Sequence, residues 1–115
     1  MTVYQIIETT YLDRFNKCYI NVLSINNNPC DKKLNSIIKT VPRVKLSPFE
    51  YNSPCCEQPA CQHLFKNPET EKFLTIDNID FLFTKLIEAG FKIETELTRL
   101  LKKKNDKLIC LISKN

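Results

Sequence analysis

Apolar and β-branched residues crowd two stretches near the start of the chain, Val3 to Leu12 and Lys17 to Ile25, with Asp13-Arg14-Phe15-Asn16 between them. Val, Ile, Thr and Tyr suit a pleated, half-buried surface, so the pattern predicts two strands joined as an antiparallel hairpin. Asn26-Asn27-Asn28-Pro29 then offers turn chemistry and a proline pre-set for a first helical turn, and Leu34, Ile37 and Ile38 follow at helical spacing. A short helix from Pro29 to Lys39 is expected, stopped by Pro42, because the residue before a proline is pushed out of the helical region.

All six prolines fall between positions 29 and 68. Residues 40 to 70 alternate proline with short apolar groups, which predicts a Pro/Cys-rich loop segment with room for one short edge strand. The last third is more regular. Ile79, Leu82, Phe83, Leu86 and Ile87 share one helical face after Asp77 and Asp80, and Gly90, the only glycine, closes that helix. Phe91-Lys92-Ile93 reads as a brief extended piece. Thr95 then caps a basic helix with Leu97, Leu100 and Leu101 at helical spacing; the rival reading makes 91–103 one strand of a hairpin turning at Asn105-Asp106. Lys107 to Lys114 is a terminal strand either way, apolar enough at its centre to be buried on both faces.

The expected architecture is one α+β domain over residues 1–115. A small, mainly antiparallel sheet holds the N-terminal hairpin and the C-terminal strand, and two or three helices cover it. The 115 residues, 43% of them hydrophobic, suffice for one modest core. No apolar run approaches the roughly 18–20 residues that cross a bilayer, so no membrane partner is expected. The start, Met1 to Glu8, lacks the basic and apolar regions of a secretory signal, which points to an intracellular chain.

Charge changes this picture only at one end. Residues 1–91 carry ten basic and ten acidic side chains, whereas residues 92–115 carry seven against three, so the whole net charge of +4 belongs to the C-terminal segment. Arg99, Lys102, Lys103, Lys104 and Lys107 are therefore candidate nucleic-acid contacts, with the helix ending at Ala89 and the basic helix after it in a helix-turn-helix relation. Glu94 and Glu96 crowd the start of that recognition helix. A solvated basic face is the plainer alternative.

Six cysteines without an export signal read as thiols or metal ligands. Cys18 and Cys110 sit inside apolar alternating runs and are expected to be buried hydrophobes. Cys30 follows a proline at the expected helix start, where a lowered thiol pKa finds no obvious use. Cys55, Cys56, Cys61 and the only histidine, His63, fall within one short segment. Their donor chemistry suits Zn²⁺, with Cys55 or Cys56, Cys61, His63 and a fourth group as ligands, although the spacing is tighter than in common zinc modules. A disulfide from Cys61 to one of the adjacent pair, or plain loop thiols, are the alternatives. No catalytic residue is nominated: His63 is poorly placed to activate a cysteine two residues away, no Cys-x-x-Cys opens a helix, and one glycine cannot build a phosphate-cradling loop.

The heavy use of Asn, Ile and Lys, seen in Asn26-Asn27-Asn28 and Lys102-Lys103-Lys104-Asn105, suggests an AT-rich genome. Together with Leu86 to Ile93, Leu97 to Leu101 and Leu108 to Ser113, it resembles the short orphan proteins of mimivirus-type giant DNA viruses and their mobile elements. The resemblance implies a virion or a viral factory in the host cytoplasm and carries no catalytic residue. The functional expectation is a non-enzymatic binding or structural protein that self-associates as a homo-oligomer, because strand edges need a partner. Nucleic-acid binding through 92–107 and a zinc-stabilised interaction module are the alternatives.

Overall fold

The structure, a computed structural model, describes residues 2–13, 17–26, 31–42 and 62–114. Its strands are β1 (Thr2–Asp13), β2 (Cys18–Asn26), β3 (Lys39–Pro42), β4 (Gln62–Lys66), β5 (Lys92–Glu94) and β6 (Leu108–Lys114). They form one antiparallel sheet in the order β3-β4-β2-β1-β6-β5. The helices are α1 (Lys32–Ile37), α2 (Ile79–Glu88) and α3 (Thr95–Lys102), with a 3-10 turn at Ile76–Asn78 leading into α2. This mixed architecture is compatible with the α+β class, although the strands dominate and the helices are short.

The hairpin forms as the pattern predicts, with Ile6 opposite Ile25 and Asp13 opposite Cys18. β6 lies antiparallel along the other side of β1, pairing Ile6 with Cys110 and Tyr4 with Ile112. A bulge between Ile6 and Ile7 shifts its register, so Ile7 meets Leu108 and Ile109 is the extra residue. On one face of the sheet Ile6, Leu23, Ile25, Phe65, Cys110 and Ile112 join Leu34 of α1 and Leu82 and Leu86 of α2 in a single apolar cluster. The opposite face is buried too, at Val22, Ser24, Leu64, Leu108 and Leu111. β2, β4 and β6 are thus covered on both sides, as the apolar centre of residues 108–112 foreshadows.

Three expectations are corrected here. Residues 62–66 are not loop but an interior strand, held between β2 and β3 by Ser24–Leu64 and Val41–Leu64 pairings. The first helix begins at Lys32 rather than Pro29, because Asp31 is its N-cap and accepts from the Leu34 N–H at 2.9 Å. It ends well short of Pro42: Ile38 is already extended, and its buried side chain joins the core as β3 begins.

α2 ends as Gly90 predicts. The Phe91 N–H donates to Leu86 O and the Gly90 N–H to Ile87 O, at 2.9 and 3.0 Å, which together make a Schellman cap. Gly90 takes φ of +94°, in the region that L side chains rarely adopt. Lys114 binds this terminus from β6. Its ammonium donates to Ala89 O at 3.1 Å, lies 5.1 Å from the Phe91 ring centroid and pairs with the Asp31 carboxylate. One cation therefore satisfies the negative end of α2 and the N-cap of α1 together.

Candidate functional site

The sheet does not extend along the whole hairpin. β6 pairs with β1 only as far as Ile7, and β4 pairs with β2 only from Ser24 to Asn26. Beyond those limits Thr9–Asp13 and Cys18–Val22 continue as a two-stranded arm. The Glu8 N–H points outward to Lys107 O at 3.0 Å, and the Leu23 N–H points outward to Leu74 O at 2.8 Å. Because strand groups alternate with a period of two, Thr10 and Leu12 on β1, and Tyr19 and Asn21 on β2, also direct their N–H and C=O groups away from the hairpin. No described residue bonds those backbone groups, although on the β2 side Leu74 holds Leu23 and Phe73 reaches Tyr11 alongside them.

The side chains on the arm divide by face. Tyr11 packs against Phe73 with ring centroids 4.9 Å apart and planes inclined at 53°, and the Lys66 ammonium lies 4.9 Å from the Phe73 centroid on this supported side. On the other face Thr10 donates to Asn21 Oδ1 at 3.1 Å, and Leu12 lies opposite Tyr19, which is 73% exposed. An exposed tyrosine beside a partly exposed leucine is the apolar end of the arm.

Cys18, expected to be buried, is exposed instead. It lies at the end of the arm, past the point where neighbouring strands cover the hairpin, so its alternating context does not bury it. Cys110 is buried as expected, and desolvation pushes its thiol up to about 12. A thiol-alkylating reagent is therefore expected to modify Cys18 in the native protein and Cys110 only after unfolding. Peptide mapping by mass spectrometry checks this, and native labelling of Cys110 would contradict it.

The basic segment forms a helix, and the hairpin reading of 91–103 is set aside. It is not half of a helix-turn-helix pair, because β5 separates α2 from α3 and is itself bonded to β6. Arg99, Lys102, Lys103, Lys104 and Lys107 are all exposed, and none makes an ion pair with a described residue. The leucines stay partly outside the core. Leu97, Leu100 and Leu101 are 39%, 62% and 39% exposed, leaving an apolar stripe beside the cations.

Thr98 ties the helix to β6: its hydroxyl donates to Glu94 O and accepts from the Leu111 N–H at 2.8 Å. Ser113 reinforces the seam by donating to Glu94 Oε1 at 2.6 Å. Thr98→Val preserves the shape but leaves the Leu111 N–H without its acceptor. It should cost about 1–2 kcal/mol in a denaturant melt, and an unchanged midpoint would show that α3 is held otherwise.

Of the candidate metal ligands, Cys55, Cys56 and Cys61 lie outside the described residues, as does Cys30. His63 is described. It sits in β4, paired with Ile25 on one side and Pro42 on the other, and is only 5% exposed. Its backbone is thus fixed by the sheet. No helix among the described residues is long and apolar enough to cross a membrane. No protein-family model matches the chain, and neither a curated protein nor a solved structure matches it.

Proposed function

We propose that this chain is a binding or structural protein that acts by association rather than catalysis, and that its first partner is itself. The observation that supports this most is the β1–β2 arm, where Thr10, Leu12, Tyr19 and Asn21 direct backbone groups outward that no described residue bonds, beside an exposed Tyr19. A chain of this kind in a virion or viral factory fits the resemblance of its sequence to giant-virus orphan proteins. Light scattering with chemical crosslinking of the purified native chain tests the reading. An assembled mass supports it; a strict monomer with no crosslinked species rejects it.

A second reading, nucleic-acid binding, rests on the exposure of Arg99, Lys102, Lys103, Lys104 and Lys107 without acidic partners among the described residues. Binding through these groups would release counterions and weaken steeply with salt. Mobility-shift titration at several salt concentrations should show affinity and salt slope both falling when Arg99, Lys102 and Lys103 are changed to Glu. Affinity untouched by that reversal eliminates the reading.

A further inference from the structure

We propose that α3 docks the chain on an anionic lipid surface, with its exposed leucines entering the interface and the lysines at its C-terminal end meeting the acidic headgroups. This goes beyond self-association and uses a different element from the arm. At helical spacing Leu97, Leu100 and Leu101 fall within one arc of about 100°, and all three are exposed. Thr98 lies outside that arc, and its bond to the Leu111 N–H turns its side of the helix toward β6. Arg99 and Lys102 fall on the circumference opposite the leucines. The winding continues past the last helical residue, since the Lys104 N–H donates to Leu101 O at 3.0 Å, and this brings Lys104 round to the leucine side. Leucines on one arc, with cations on the remainder and at its end, are the arrangement of a helix that lies in a lipid interface.

Charge and shape choose the occupant. From Arg99 to Lys107 the chain carries five cations against one carboxylate, Asp106, and all five cations are exposed. They complement the negative potential of an anionic leaflet, which acts over about 8 Å in physiological salt. Attraction to a phosphate backbone alone gives no use to exposed leucines, whereas a lipid interface rewards both kinds of side chain. A groove that wraps a helix needs more of its circumference than α3 offers. Thr98 bonded to Leu111, and Glu94 bonded to Ser113 at 2.6 Å, hold it along β6. A flat surface needs only one face. Glu96, exposed in the first turn, opposes the attraction, so the C-terminal end leads the contact. Docking of this kind requires no membrane-crossing helix. With only eight residues in α3, binding should be weak and sensitive to salt.

The chain contains no tryptophan, so Leu100→Trp places a single indole fluorophore in the leucine stripe. The test titrates vesicles of phosphatidylcholine alone, and of equal parts phosphatidylcholine and phosphatidylserine, into four full-length proteins. These are the wild type, Leu100→Trp, Leu100→Ser with Leu101→Ser, and Lys103→Glu with Lys104→Glu. The wild type should sediment with the anionic vesicles and not with the neutral ones, and added salt should release it. The emission of Leu100→Trp should shift to the blue on anionic vesicles. Each double variant should bind them about tenfold or more weakly. Circular dichroism verifies folding, and if a double variant fails to fold, the Leu100→Trp emission decides. Anionic vesicles that leave the wild type in solution, an unshifted emission, or a leucine variant that binds as the wild type does would each overturn the inference. Duplex DNA bound equally by the wild type and the leucine variant, without vesicle binding, would assign the cations to nucleic acid instead.

Discussion

Phe65→Ala lowers the stability of the fold by about 3–5 kcal/mol, the range for emptying an aromatic site in a close-packed core. Phe65 is fully buried in β4, opposite Thr40 of β3, and its carbonyl accepts from the Leu74 N–H at 2.9 Å. The lost ring would leave a void in the cluster that also holds Leu23, Leu34 and Leu74. Small domains hold only about 5–15 kcal/mol in total, so the substitution removes a large fraction of the margin. Thermal melting should show Tm falling by on the order of 10–20 °C. Phe65→Leu, which keeps most of the volume, should cost less than half as much. A loss under about 1 kcal/mol for the alanine variant would mean that β4 is not the centre of the core.

Asp31→Ala is the second large effect, at about 2–3 kcal/mol, because one carboxylate has two uses. It caps α1 through the Leu34 N–H, and it pairs with Lys114, whose ammonium also reaches Ala89 O and the Phe91 ring. Asp31→Asn separates the uses, since an amide oxygen still caps the helix but carries no charge for Lys114. The Lys114 hydrogen bond, aided by the Leu34 N–H, holds the Asp31 carboxyl below its ordinary value of 3.8. A depressed carboxyl pKa contributes stability that is fully present above the unfolded value and is lost as pH falls through the folded one. The gap between wild type and Asp31→Asn should therefore be constant near neutrality and close below pH 3.8. Urea melts of both proteins across that range check it; a gap that persists in acid would mean the amide disturbs packing.

These two sites also show where the sequence is legible. α2 is plain because five apolar side chains recur on one helical face and a glycine follows where a positive φ is needed. β1, β2 and β6 are plain because β-branched and apolar residues run long enough to exclude a loop. β4 is hidden: Gln62-His63-Leu64-Phe65-Lys66 has only five residues, too few for a clear alternation, and shares His63 with the Cys/His segment. Its pairing partners are remote in sequence, so only the assembled sheet reveals it.

The position of α3 was hidden for a different reason. Helical spacing identifies which residues share a face but not which face meets the sheet, and here the hydroxyl of Thr98 bonds β6 while Leu97, Leu100 and Leu101 stay partly exposed. At Cys18 the alternating pattern is real, but the neighbouring strands stop before they reach it. The outward backbone groups of the arm that bond no described residue could be anticipated in kind, since any antiparallel sheet has edges, yet their location depends on how far β4 and β6 extend.

Amide hydrogen exchange read residue by residue along β2, in dilute and concentrated solutions of the native chain, bears most directly on association through the arm. The account predicts that the amides of Tyr19 and Asn21 exchange quickly when dilute and slow markedly when concentrated, while Leu23, already bonded to Leu74, stays protected throughout. Rapid exchange at Tyr19 and Asn21 in both solutions would contradict it.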